Sequence, residues 1–126
     1  MIGKEKTENY LKTIYKLQKI SGQARGIDVA AELNVSRPTV SVALKELRKK
    51  GYIKTYDDGS FLLTKKGLAE AQSIEERFSF LTDMLTFLNV DKTTAAEDAC
   101  RLEHNLSDDS YRALQQFFST KMIQGT

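Results

Sequence analysis

Cys100, Glu103 and His104 stand at i, i+3 and i+4 within Glu97-Asp98-Ala99-Cys100-Arg101-Leu102-Glu103-His104. On a helix that spacing gathers a sulfur, an oxygen and a nitrogen donor on one face, with Glu97 a further turn along the same side. The chain has no other cysteine and no other histidine. A mixed S/N/O set suits borderline divalent ions such as Fe²⁺, Co²⁺, Ni²⁺ or Zn²⁺ better than Mg²⁺ or Ca²⁺. Three donors from one helix do not close a coordination shell, so water or another element has to complete it. The same spacing also has a plainer reading, in which the cysteine fills an apolar gap and Glu103 hydrogen-bonds to His104.

Catalysis fits this face poorly. A cysteine and a histidine four residues apart on one helix lie side by side and do not surround a substrate. No glycine-rich phosphate loop and no nucleophile elbow occurs anywhere in the chain. The expectation is a protein that is not an enzyme and takes no small organic substrate.

A second constellation lies in the first half. The net charge of +2 divides into twelve Lys and Arg against five Asp and Glu over residues 1–54, a balance of +7, and −5 over residues 55–126. Within the basic half, Ile27–Leu33 reads as a short helix, Asn34-Val35-Ser36 as a tight turn, and the segment from Ser36 to Lys50 as a second helix. Ser36 can cap that helix, Pro38 (the only proline) is tolerated at its start, and Gly51 stops it. A helix, a turn and a helix of this kind present the start of the second helix to a DNA major groove. The side chains placed to do so are Ser36, Arg37, Pro38, Thr39, Ser41, Val42 and Lys45. Arg25, Lys49 and Lys50 flank them and match a phosphate backbone.

The remaining elements serve to hold these two faces. Tyr10, Leu11, Ile14, Tyr15, Leu17 and Ile20 form a first helical stripe. Tyr52–Tyr56 and Ser60–Leu63 flank Asp57-Asp58-Gly59, which predicts a β-hairpin. From a Thr64 cap a long helix runs to about Leu88, and two further helices fit residues 93–105 and 107–120. Helix, helix, turn, helix and hairpin is the winged helix-turn-helix order. The expected fold is therefore mainly α with a small hairpin wing: a DNA-binding domain over residues 1–72 and a helical dimerisation and metal-sensing domain over 73–126. Phe78, Phe80, Leu81, Met84, Leu85, Phe87 and Leu88 cover more than one face of the long helix, which favours a homodimer.

With 40% apolar residues the chain is composed like an ordinary globular protein. Its longest apolar runs fall far short of the roughly 18 to 20 residues that span a membrane. The opening Met1-Ile2-Gly3-Lys4-Glu5-Lys6 carries no signal-peptide core, and one cysteine suits a reducing compartment. A cytoplasmic location is the expectation.

Four blocks resemble the iron- and manganese-responsive repressors related to the diphtheria toxin repressor and the manganese transport regulator. They are Glu8–Tyr15, Ser36–Ser41, Leu63-Thr64-Lys65-Lys66-Gly67 and, most specifically, Ala99–Ser107. The resemblance implies that Cys100, Glu103 and His104 ligate a regulatory Mn²⁺ or Fe²⁺, and that a homodimer binds inverted-repeat operators on double-stranded DNA. It implies Asn9 as a first-helix ligand, where iron-type members have methionine and manganese-type members aspartate. Lys12 replaces a second carboxylate of the manganese type. Phe78, Thr82 and Ala96 fall where the family's other metal site would be, so that site is expected to be missing. The length leaves no room for the SH3-like third domain of some members. Two functional expectations follow: a repressor with a divalent metal as corepressor, or a relative that has lost metal dependence and binds DNA constitutively or on another signal.

Overall fold

A computed structural model describes residues 2–124 of the chain. Six helices and three short strands follow in order: α1 (Lys4–Ser21), β1 (Ala24–Arg25), α2 (Gly26–Leu33), α3 (Arg37–Lys49), β2 (Ile53–Thr55), β3 (Ser60–Leu63), α4 (Lys65–Phe87), α5 (Lys92–Asn105) and α6 (Asp108–Gln124). They form two compact units, residues 1–73 and 74–126, with the division falling inside α4. Among the described residues no helix is long and apolar enough to cross a membrane.

The first unit is a winged helix-turn-helix. Tyr10, Leu11 and Ile14 bury one face of α1, and that helix packs on α2, α3 and β3. Asn34 ends α2 in the left-handed region at φ 55°, a conformation asparagine tolerates better than most residues. Its backbone then turns into α3, where the Ser36 side chain accepts from Thr39 N and Pro38 occupies the first turn. Val40, Ala43 and Leu47 point α3 into the core, leaving Arg37, Ser41, Val42 and Lys45 exposed.

The hairpin, with its first strand trimmed to Ile53–Thr55, is part of a three-stranded sheet. β3 pairs antiparallel with β2 on one side and with β1 on the other, giving the order β1-β3-β2. The third strand is only two residues long, too short to show the alternation by which strands are recognised. Gly59 takes φ +86° at the hairpin turn, a value most side chains would strain to adopt.

Where α4 begins, the packing becomes unusually tight. Thr64 Oγ1 donates to Gly51 O (2.6 Å) and accepts from Gly67 N (3.1 Å), so one side chain caps α4 and holds the end of α3. Thr64 N donates to Tyr52 O at 2.9 Å. A Cβ built on Gly67 would stand 2.0 Å from that same Tyr52 oxygen. Only glycine allows the two backbones to approach so closely.

The second unit buries Leu81, Met84 and Ala99 in its core, with Phe78, Phe80, Leu85, Leu102, Leu106, Leu114, Phe118 and Met122 packed against them. Asp91 caps α5 by accepting from Thr93 N and Thr94 N. Ser107 caps α6 by accepting from Ser110 N. That helix runs to Gln124, four residues beyond the end the sequence pattern suggested.

Gly67→Ala is expected to cost about 3 kcal/mol or more, because the new methyl meets a backbone carbonyl that cannot rotate away. Thermal denaturation measures it. An unchanged melting temperature would show that the Tyr52–Gly67 approach is not a constraint.

Candidate metal centre and DNA interface

Helix α5 delivers what the spacing predicted. The ligand atoms of Cys100, Glu103 and His104 all lie within 4.8 Å of one another. Glu103 is 2% exposed, His104 7%, and Cys100 is half-buried. His104 Nε2 is 3.3 Å from Glu103 Oε1. Donors bonded to one ion at roughly 2.0–2.3 Å sit about 3 to 4.6 Å apart, so small side-chain adjustments bring this trio onto a common centre. A carboxylate withdrawn from water is costly unless a positive charge answers it. The donor set and its burial therefore fit a divalent transition ion.

The last turn of α5, which carries Glu103 and His104, is held from outside. Arg77 on α4 is only 13% exposed. Its Nη1 donates to Leu106 O, at the C-cap of α5, at 2.8 Å. Its other nitrogen pairs with Asp108 at the start of α6, and its guanidinium lies 4.6 Å from the centre of the Tyr111 ring. Tyr111 in turn meets Phe80 edge-on at 5.7 Å. No spacing rule singles out Arg77, because its partners are a carbonyl and a ring more than a helix away in sequence.

In the first unit, Arg25, Arg37, Ser41, Lys45, Arg48 and Asp58 are among the residues lining one cleft of ≈ 530 Å³ between α3 and the wing. Four cations against one carboxylate make this a surface for a polyanion. Arg48 is absent from the residues that the sequence nominated for DNA. Its spacing of three from Lys45 and seven from Ser41 is the signal that could have found it.

Four of the nominated residues sit differently from expectation. Arg25 is committed to the wing, donating to Asp58 O at 2.7 Å and to Asp58 Oδ2 at 3.3 Å. Lys50 lies away from the α3–wing cleft, at a depression shared with Lys4, Glu8, Tyr52 and Glu70. The hydroxyls of Ser36 and Thr39 hydrogen-bond to each other at 2.7 Å. Pro38, Val42 and Lys49 are exposed along α3. Asn9 lies on α1 in the first unit, where it lines a groove with Lys6, Tyr10, Val35, Thr39 and Val42.

Asp58 organises the wing tip. Its carboxylate accepts from Ser60 Oγ (2.6 Å) and Ser60 N (3.0 Å) as well as from Arg25. The Ser60 hydroxyl first, then the Ser60 amide and the Arg25 charge, hold its pKa below the ordinary 3.8.

Two family models match consecutive parts of the chain. "Iron dependent repressor, N-terminal DNA binding domain" covers residues 4–60, and "Iron dependent repressor, metal binding and dimerisation domain" covers residues 64–121. Transcriptional regulator MntR of Escherichia coli O6:H1 is 34% identical over 114 residues, 90% of this chain and 74% of that protein. The diphtheria toxin repressor of Corynebacterium diphtheriae is 30% identical over 109 residues, 86% of this chain and 48% of that protein. The solved structure of the manganese regulator SloR superposes with a TM-score of 0.77 at 30% identity, covering 94% of this chain. This chain spans 55% of SloR's length.

Because the depressed pKa favours the charged form, the Asp58 contacts persist above the ordinary value and are lost as pH falls below 3.8 through the folded value. Asp58→Ala is expected to reproduce that loss at neutral pH. Amide exchange at Ser60 and Phe61 should quicken while helical circular dichroism stays the same. Unchanged exchange at both amides would mean that Asp58 does not hold the wing.

Proposed function

The chain belongs to the iron-dependent repressor family, and on that premise we propose that it is a metal-responsive, DNA-binding transcriptional repressor acting as a homodimer on inverted-repeat operators. The observation that carries the metal half is the Cys100–Glu103–His104 cluster, with Glu103 and His104 buried. The observation that carries the DNA half is the basic cleft between α3 and the wing.

The DNA contacts divide by chemistry. Arg37, Lys45, Arg48 and Lys49 are placed to neutralise phosphates, and Ser41 to reach a phosphate or base edge. Arg25 works one step back, fixing the wing tip against β1 through Asp58. Lys50 contributes at most long-range charge. One recognition helix reads too few base pairs for genomic specificity, which is the physical reason for two copies on a symmetric site. The second unit leaves Phe87, Leu88, Phe117 and Ile123 exposed as apolar material for that pairing.

A divalent Mn²⁺ or Fe²⁺ would be held by Cys100, Glu103 and His104, with water completing the shell, and would supply the charge that favours the DNA-competent state. Glu103 answers that charge, His104 offers a neutral imidazole nitrogen, and Cys100 biases selection toward softer ions. Phe78 and Ala96 carry no donor atom for another site, and the Thr82 hydroxyl is already bonded to Phe78 O. A second reading draws on the resemblance: Lys12 stands where manganese-type members carry a second carboxylate, and Asn9 where members carry methionine or aspartate. Under that reading the protein binds DNA without metal. Either way it acts in the cytoplasm and catalyses no reaction.

Titrating duplex DNA with the protein in chelator, then in Mn²⁺, Fe²⁺ and Zn²⁺, separates the two. The expected tightening is on the order of 5- to 150-fold for the physiological ion, and Cys100→Ala should remove it. Equal affinity in all conditions retires the metal switch and leaves the constitutive protein. Affinity should also fall steeply with salt, by several log units per log unit if about six phosphates are neutralised. A flat salt dependence retires DNA binding altogether.

A further inference from the structure

Val42 is 59% exposed in the middle of α3. Helical spacing sets it on one stripe with Pro38, Lys45 and Lys49, all of them exposed. An isolated surface valine ordinarily needs no explanation. This one is a β-branched residue, less favourable in a helix than lysine or glutamate, and it adds little to the core. It also occupies the centre of the helix that the DNA-binding reading sets in the major groove.

The polar groups around it are largely spoken for. Ser36 Oγ and Thr39 Oγ1 share a hydrogen bond of 2.7 Å, and Ser36 Oγ also accepts from Thr39 N. Arg37 and Ser41 face the cleft toward the wing. The stripe through positions 38 and 42 therefore offers the Pro38 ring and the two Val42 methyls.

Only one base edge in the major groove carries an apolar group, the C5 methyl of thymine. Adenine, guanine and cytosine present donors and acceptors there, which valine cannot satisfy and which would lose water in meeting it. We propose that Val42 is a specificity-determining residue that selects thymine through its C5 methyl, an inference that rests on the DNA-binding reading above. Lys45 and Lys49, one and two turns further along the helix, hold it in register by phosphate contact and carry no base preference of their own.

The test uses the full chain and duplexes recovered from a randomised pool in the presence and absence of Mn²⁺. Each thymine of a recovered duplex is then replaced singly by dU, which keeps every hydrogen-bonding group and deletes only the methyl. At one thymine in each half-site the wild type should bind roughly fourfold more weakly, the worth of one buried methyl-sized group. Val42→Ala should lose that sensitivity at that position while keeping its melting temperature and its salt dependence. The proposal is overturned if no dU substitution weakens the wild type, or if Val42→Ala stays as sensitive as the wild type. If the wild type recovers no duplex under either condition, the DNA-binding reading falls and this proposal falls with it.

Discussion

The approach of Gly67 to the Tyr52 carbonyl governs how the first unit is put together. Tyr52 stands three residues past the end of α3, and Gly67 lies in the first turn of α4. With 2.0 Å between the oxygen and a would-be Cβ, the two backbones are as close as they can come. Thr64 closes the same junction by bonding both Gly51 and Gly67. The end of α3, the first strand of the wing and the start of α4 are thereby fixed against one another. The angle at which α3 meets the wing, and so the shape of the basic cleft, follows from that junction.

Electrostatics in the first unit are arranged around this frame in two layers. Arg37, Lys45 and Arg48 face the cleft, and they are free to take part in phosphate contacts. Arg25 is spent internally on the acidic turn. Without it, Asp57 and Asp58 would present uncompensated negative charge at the tip of the wing, beside the basic cleft. The turn gains its tight geometry from acidic and glycine residues, and Arg25 offsets the charge that this geometry introduces.

Much of this was legible in the sequence because periodicity and capping are local. The order of elements, the Ser36 and Ser107 caps, the left-handed Asn34 and the i, i+3, i+4 donor face all depend on residues a few positions apart. What escaped depends on contacts between distant segments. β1 becomes a strand only because β3 lies beside it. Arg25 looked like a DNA ligand because nothing near it in sequence shows that Asp58, thirty-three residues on, would claim it. Lys50 belongs to a basic run, yet it falls one helical step past Lys49 and onto a different face. Arg77 escaped altogether, since its chief acceptor is a main-chain carbonyl that no residue type announces.

The unequal burial of the three donors on α5 has a kinetic meaning as well. Glu103 and His104 are almost closed to solvent, while the Cys100 side is partly open. On the metal-binding reading proposed above, an arriving cation would meet sulfur before oxygen or nitrogen, and full coordination would wait on a local opening around the helix. Loading and unloading would then proceed at the pace of that opening and not of diffusion. A sensor built this way would average over brief swings in ion supply and answer to sustained ones.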